Sequence, residues 1–314
     1  MRVGQAIAFL ERSDTPPAFS LRRPADADLP VTTTSLPGQD APEAIAFIKG
    51  SGANEARLAL QTRAAILVVS ASLEVQGHPT GVALLVRAEN PRLTFAQIAA
   101  HLLEADPVPG IDPAARISPH AQIDPTARVE CGVTVGASMI GPGCHLMAGA
   151  SVLDDVLLTE DVSVYPGAVI GTHGFGYERD ASGTPQRLPH VGGVWVGQGV
   201  DIGANTVIDR GTIGDTRIDA FTKIDNLVHV AHNVTIGEGC LIAAHAVIAG
   251  SAVLGDRVWV GPSACVSNGI TIGSDVSISL GAVVTQDVAE GARVSGNFAI
   301  AHDRFLNHLR SIRG

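Results

Sequence analysis

From Ile218 to Val284 an aliphatic side chain returns at every sixth position: Ile218, Ile224, Val230, Ile236, Ile242, Ile248, Leu254, Val260, Val266, Ile272, Ile278 and Val284. The same beat runs through Ile111, Ile117, Ile123, Val129 and Val135. It slips by one residue and resumes at Ile140, Leu146, Val152, Leu158, Val164 and Ile170. A period of six fits neither the 3.6 of a helix nor a heptad, and repetition at a fixed period marks a solenoid. Each hexad supplies one short strand and a tight turn, its aliphatic residue facing a narrow core. Three hexads then close one triangular coil of roughly eighteen residues. The residue after the aliphatic one is often Gly, Asp, Ser or Ala, and the fifth position is often small or β-branched, which suits sharp corners. The 35 glycines and the scarcity of aromatic residues favour the same narrow β architecture over a core of large rings.

The pattern resembles the hexapeptide-repeat left-handed parallel β-helix, and two breaks in it matter. Residues 171–193, "GTHGFGYERDASGTPQRLPHVGG", leave the beat and are polar and rich in Gly and Pro, so a loop extruded from the helix is expected. Near Arg210–Asp215, "RGTIGD" shifts the phase without ending the coil. Residues 1–105 show no hexads. "AAILVVSA" and "GVALLVRA" read as buried strands, "NEARLALQTR" and "RLTFAQIAAHLLEAD" as helices, which makes a small α/β domain for nucleotide or substrate binding. "DPVPGIDP" reads as a linker. The β-helix occupies residues 106–290, and residues 291–314 form a tail ending in a short amphipathic helix with Phe305, Leu309 and Ile312 on one face. The fold class is mainly β.

The charge balance, 21 basic against 31 acidic residues and net −10, argues against a general nucleic-acid binder. The opening stretch MRVGQAIAFLERSD lacks a signal-like apolar core, and no apolar run approaches membrane-spanning length. Cys131, Cys144, Cys240 and Cys265 form no CxxC pair and read as reduced, buried small hydrophobes of a cytoplasmic protein.

Aliphatic side chains fill the coil, so a ligand must bind outside it or between subunits. The densest polar group on the beat is "IDNLVHVAHNVTIG", residues 224–237. His232, two residues after inward Val230 and close behind Asp225 and Asn226, is the candidate general base, because imidazole titrates near neutrality. A nearby carboxylate or amide would set its tautomer. One coil further stands Gly250, whose uncovered backbone N–H would donate to a developing oxyanion. The plainer alternative makes these solvated corner residues. His229 and His245 either line the site or face solvent or a neighbouring subunit. A zinc site built from His229, His232 and His245, as in trimeric β-helix carbonic anhydrases, is a rival, although their spacing has no evident ligand logic.

With these residues in view, the chain resembles the UDP-3-O-acylglucosamine N-acyltransferases of lipid A biosynthesis, within the wider hexapeptide-repeat acyltransferases. The resemblance rests on "AIAFIKG" (44–50), "RAAILVV", "ENPRLTFAQIA" (89–99), "GTHGFGYERD" (171–180), "IGANTVIDRGTIGDT" (202–216) and "IDNLVHVAHNVTIG". It implies a cytoplasmic homotrimer with sites in clefts between adjacent β-helices. It also implies His232 of "AHN" as the base that deprotonates a sugar amine, Gly250 as oxyanion donor, and Phe175 and Tyr177 of "GFGY" beside the cleft. The acyl donor would be a phosphopantetheine thioester, on acyl carrier protein or coenzyme A, with no metal required. Asp225, Asn226, His229, His245 and Phe47 are the expected substrate-binding residues.

Three departures stand out. The family's uridine-binding segment reads roughly Phe-x-x-Asn-x-x-Tyr; here Phe47 is followed by Gly50 and Ala53 at the other two positions. A second family histidine is replaced by Gly269 in "NGITIG". The C-terminal helical bundle is cut to about one helix, whose Arg304, Arg310 and Arg313 either meet an acidic carrier or a coenzyme A phosphate or form an ordinary solvated helix end. An N-acyltransferase for another nucleotide-linked amino sugar, such as a dideoxy amino sugar, with acyl-CoA as donor, fits the same residues. A non-catalytic β-helix scaffold is the alternative of a different class.

Overall fold

The computed structural model describes residues 1–103, 108–296 and 301–313, without the side chains of residues 40, 305, 308, 309, 312 and 313. The first two residues of the expected linker and the apolar face assigned to Phe305, Leu309 and Ile312 therefore lie outside the described residues. The chain divides into two compact units, residues 1–106 and 107–314.

The N-terminal unit runs α1 (Val3–Leu10), β1 (Ala18–Leu21), β2 (Thr33–Thr34), β3 (Asp40–Ile48), α2 (Ala53–Gln61), β4 (Arg63–Ser70), β5 (Val82–Ala88) and α3 (Pro91–Leu103). Its sheet has the order β1-β5-β4-β3-β2, with β1 antiparallel and the other pairs parallel. β4 is the continuous apolar run "AAILVV" because both of its faces are covered. Ile66 and Val68 pack with Val3, Ala6 and Leu10 of α1 and Ile98 and Leu102 of α3, while Leu67 and Val69 pack with Ala59 of α2. The helix α1 was not expected: it lies in the opening stretch read above only for a signal-like apolar core. Asp26, 2 % exposed, sits in a short 3-10 turn where Arg22 Nε and Arg23 Nη2 each approach its carboxylate to 2.8 Å.

The second unit is the left-handed parallel β-helix. Its strands, mostly two residues long, stack into three parallel sheets of nine, eight and ten strands. The usual right-handed crossover preference comes from twisted strands feeding helices, and strands this short carry little twist. Along most of the prism, partners are eighteen residues apart, as in His229 with Val247 and Lys223 with Leu241. The one-residue slip after Val135 is a single shorter coil, in which Thr134 pairs with Ser151.

Corners follow a rule that the beat alone does not announce. From Phe221 to Gly281 the fourth residue of hexad after hexad has positive φ, and most are not glycine: Phe221, Leu227, Asn233, His245, Ser251, Arg257, Ser263 and Asp275. A left-handed backbone costs a non-glycine residue roughly 1–2 kcal/mol, so stacking of the sheets imposes this bend. The fifth residue then turns inward beside the aliphatic one, as Val228, Val234, Ala246, Ala252 and Val258 do. Where it is Thr222, the hydroxyl donates to Gly237 O at 2.8 Å and accepts from Cys240 N at 3.0 Å.

Cysteine placement departs in part from expectation. All four thiols are free, with Cys144 and Cys240 buried and Cys265 half-buried, but Cys131 is exposed. It stands at the outer edge of a corner, before positive-φ Gly132, rather than at an inward position of the hexad. The tail carries α4 (His302–Arg313). Among the described residues no helix is long and apolar enough to cross a membrane.

Candidate functional site

Both interruptions of the beat converge on His232. The strand Val169–His173 leads into the extruded segment, which carries a small hairpin (Tyr177–Arg179 with Pro185–Arg187) and returns at Val194. Arg210, 9 % exposed, anchors its root through Nε to Gly192 O at 2.7 Å and Nη2 to Asp155 Oδ2 at 2.5 Å. The phase shift at "RGTIGD" is an enlarged coil, so that Val207 pairs with His229. Its extra residues form a bulge against the corner that bears His232.

That bulge fixes the tautomer of His232. Thr212 N donates to Asn233 Oδ1 at 2.9 Å, and Asn233 Nδ2 donates to Gly214 O at 3.1 Å. Two backbone groups therefore define which end of the amide is oxygen. The same Oδ1 lies 3.2 Å from His232 Nδ1. An amide oxygen only accepts, so Nδ1 carries the proton and Nε2 keeps its lone pair. Asn233 is able to serve here because asparagine tolerates the left-handed corner, at φ 60°.

Nε2 faces Gly250. A Cβ on residue 250 would stand 2.8 Å from His232 Cε1 and 2.9 Å from Nε2. Ser251 N donates to His232 O and Gly269 N to Gly250 O, which holds the three corners in register. Among the described residues no acceptor takes the Gly250 N–H. An open crevice of about 410 Å³ runs along these corners, bordered by Phe175, Asp209, His229, Ala231, His232, Val247, Ala249, Gly250 and Gly269. Phe175 is 86 % exposed, and its ring packs on that of Tyr177 with centroids 5.0 Å apart. Beside Gly269 a Cβ would meet nothing within 4 Å, so the crevice is open at that corner.

Two residues that sequence reasoning missed lie beneath the imidazole. Asp209, 4 % exposed, has its Oδ2 3.7 Å from His229 Nε2. Burial pushes its carboxyl above the usual range, against the opposing charges of His229, His232 and His190. His190, 2 % exposed, packs edge-on against His232 with ring centroids 5.1 Å apart. Its Nδ1 must donate to Leu188 O at 3.1 Å, leaving a buried Nε2 with no partner among the described residues. The "IDRG" and "LPHVG" segments were in plain sight, but nothing periodic in the sequence links them to "AHN".

Other expected site residues are placed elsewhere. Asp225 and Asn226 do not reach His232: they occupy the preceding corner, on another edge of the prism. Asp225 Oδ1 accepts from Asn226 N and Oδ2 from Ala244 N, while Asn226 Oδ1 accepts from Ala204 N at 2.6 Å. Both side chains thus serve the corner backbone, and both border a separate crevice with Tyr165, Lys223, Leu241 and Trp259. Exposed His245 stands on that same edge, its N–H donating to Asn226 O, so one chain does not gather His229, His232 and His245. Among the described residues no group of three or more His, Cys, Asp or Glu side chains is placed to hold a metal ion. Phe47 lies in the N-terminal unit, packed on Phe95 at 4.8 Å.

Comparison with known proteins agrees with this architecture. The family "bacterial transferase hexapeptide (six repeats)" matches residues 215–250. The chain is similar to UDP-3-O-acylglucosamine N-acyltransferase of Bordetella pertussis, 35 % identical over 167 residues, which are 52 % of this chain and 44 % of that protein. It is also similar to UDP-3-O-acylglucosamine N-acyltransferase 2 of Legionella pneumophila, 53 % identical over 53 residues, 17 % of this chain and 15 % of the relative. The chain thus spans less than half the length of these curated relatives. Among solved structures, a UDP-N-acetylglucosamine acyltransferase from Bacteroides fragilis superposes with a TM-score of 0.52 at 23 % identity, over 64 % of this chain and 78 % of that one. One from Campylobacter jejuni gives 0.51 at 22 %, over 65 % and 83 %. These two likenesses establish the fold.

Proposed function

We propose that this chain is an N-acyltransferase that moves an acyl group from a phosphopantetheine thioester to the amine of a nucleotide-linked amino sugar. The observation that carries this reading is the clamped tautomer of His232, whose Nε2 lone pair faces the Gly250 backbone across an open crevice. The amine nitrogen attacks the thioester carbonyl carbon, a C–N bond forms, and the carbonyl opens to an oxyanion beside the Gly250 N–H. The amine proton passes to His232 Nε2. The oxyanion collapses, the C–S bond breaks, and Nε2 returns the proton to the departing sulfur. Amide and free thiol result. A thioester is already activated and a neutral amine is a good nucleophile, so these groups complete the step.

Ala231, Val247 and Ala249 give the crevice an apolar border suited to the acyl portion. On the same sheet face Val283 is 61 % exposed, in keeping with a homotrimer in which a neighbouring copy closes the crevice. The donor is acyl carrier protein or coenzyme A, and the compartment is the cytoplasm. Similarity to the UDP-3-O-acylglucosamine enzymes supports that acceptor. Gly50, in the turn after β3, and Ala53, at the start of α2, favour a second reading in which a different nucleotide-linked amino sugar is acylated from acyl-CoA.

The test is a panel of amino-sugar nucleotides offered with acyl-carrier and acyl-CoA donors. Thioester-dependent N-acylation of one acceptor supports the proposal, and the preferred pair chooses between the two readings. Binding of a sugar nucleotide with no acyl transfer from any donor would leave a scaffold, and CO₂ hydration by zinc-loaded protein would revive the anhydrase rival.

A further inference from the structure

Asp209 ends up beside the base at a place where a carboxylate is expensive to keep. Its Oδ2, His190 Nε2 and His232 Cδ2 all converge on the α carbon of Gly174, where a methyl group would lie 3.1, 3.0 and 2.9 Å from them. Only glycine permits that convergence, and Gly174 belongs to the extruded segment rather than to the coil. A Cβ on Gly176 would in turn meet His190 Cε1 at 2.8 Å, so both glycines of "GFGY" seat the buried imidazole. A carboxylate removed from water is unfavourable unless charge or hydrogen bonds offset the loss. Every element packed around Asp209 supplies a titratable or charged group. His229 and His232 come from the coil above, and His190 from the extruded segment. His173 comes from the adjoining strand, where it pairs with Arg210 and lies near Arg187. Arg210 itself is engaged by Gly192 O and Asp155, which leaves the imidazoles as the partners of Asp209.

Resting on the acyl-transfer reading, we propose that Asp209 is a positioning residue for His232: its carboxylate, walled from solvent by Gly174 and His190, stabilises the imidazolium formed when Nε2 takes the amine proton. No proton moves to Asp209. The proton stays on Nε2 and returns to the leaving sulfur, while the fixed negative charge beneath the ring makes the intermediate charge distribution favourable. His190, 2 % exposed and tied through Nδ1 to Leu188 O, is a wall that keeps water from the carboxylate.

Asp209→Asn keeps the shape and removes the charge. The expected result is a fall in kcat of about 10- to 100-fold with KM within about threefold, in the range for a lost electrostatic contribution. The acid limb of kcat/KM moves to lower pH by about one unit, because the charge that favoured the imidazolium is gone. The NMR titration of the His232 ring moves the same way relative to the parent protein, and that readout needs no substrate. Asp209→Ser, which empties the site instead of filling it with an amide, gives the same titration change and decides the matter if the Asn variant does not fold. An unmoved His232 titration and an unmoved acid limb, whatever the loss of rate, would mean that Asp209 is merely structural and would overturn the proposal. A titration shift in a protein that acylates nothing would uphold the charge coupling and defeat the acyl-transfer reading.

Discussion

The imidazole of His232 and the α carbon of Gly250 stand on successive coils at one corner of the prism, so close that a side chain on residue 250 would press on the ring nitrogen. Gly250→Ala therefore tests the pairing directly. The added methyl meets only the far end of a side chain, so the ring shifts and the fold survives. We expect kcat to fall by about 10²- to 10³-fold, as for a disturbed oxyanion site, with the melting temperature of the parent. Steady-state kinetics beside a thermal melt checks both halves.

Asn233 holds His232 with its proton on Nδ1 and its Nε2 free to accept. Asn233→Gly keeps the positive-φ corner and deletes the amide, so a loss of activity reports tautomer and orientation rather than backbone strain. The expected loss in kcat is about 10²-fold or more, by analogy with other bases deprived of their orienting group. Asn233→Asp retains an oxygen acceptor and restores part of the rate. Full activity in the Gly variant would show that Nδ1 does not depend on the clamp.

Thr222 plugs the core with a hydroxyl that serves two buried backbone groups, Gly237 O and Cys240 N. Thr222→Val matches its volume and leaves both unsatisfied. The expected destabilisation is about 1–3 kcal/mol, read as faster hydrogen exchange in the coils around residues 218–242 and a lower melting temperature. Thr222→Ser keeps the hydroxyl and loses less.

In the N-terminal unit, hydrogen bonds from Arg22 and then Arg23 hold the Asp26 carboxyl down at about 2, against an ordinary value of 3.8. A depressed carboxyl stabilises the fold above its unfolded value, and that contribution disappears as pH falls through the folded one. Asp26→Asn should thus loosen residues 18–34 near neutral pH, and the difference from the parent should shrink between about pH 4 and pH 2. Hydrogen exchange across that window measures it.

The architecture was legible because a core one side chain thick leaves no freedom in where aliphatic residues fall: Ile224, Val230 and Ile236 all stand inside. Corner conformation was not legible, since Phe221, Leu227 and Arg257 adopt positive φ under the constraint of stacked sheets rather than by their own preference. His232 and Gly250 could be paired by counting coils. Asp225 and Asn226 stand apart from His232 within one chain, because six or seven residues carry this chain round to the next edge of the prism. Asp209 and His190 reach the site through the extruded segment and the enlarged coil, where the beat is suspended and counting gives no guidance. The interruptions of the repeat, more than the repeat itself, assemble the site.

In the proposed reaction His232 removes the proton from an attacking amine. The direct measurement is the single-turnover rate of amide formation from a bound acyl thioester and amino-sugar nucleotide, in the parent protein and in His232→Ala. The expected rate in the variant is lower by about 10²- to 10⁴-fold, with an unchanged circular-dichroism spectrum and melting temperature. Amide formation at the parental rate in His232→Ala would contradict it.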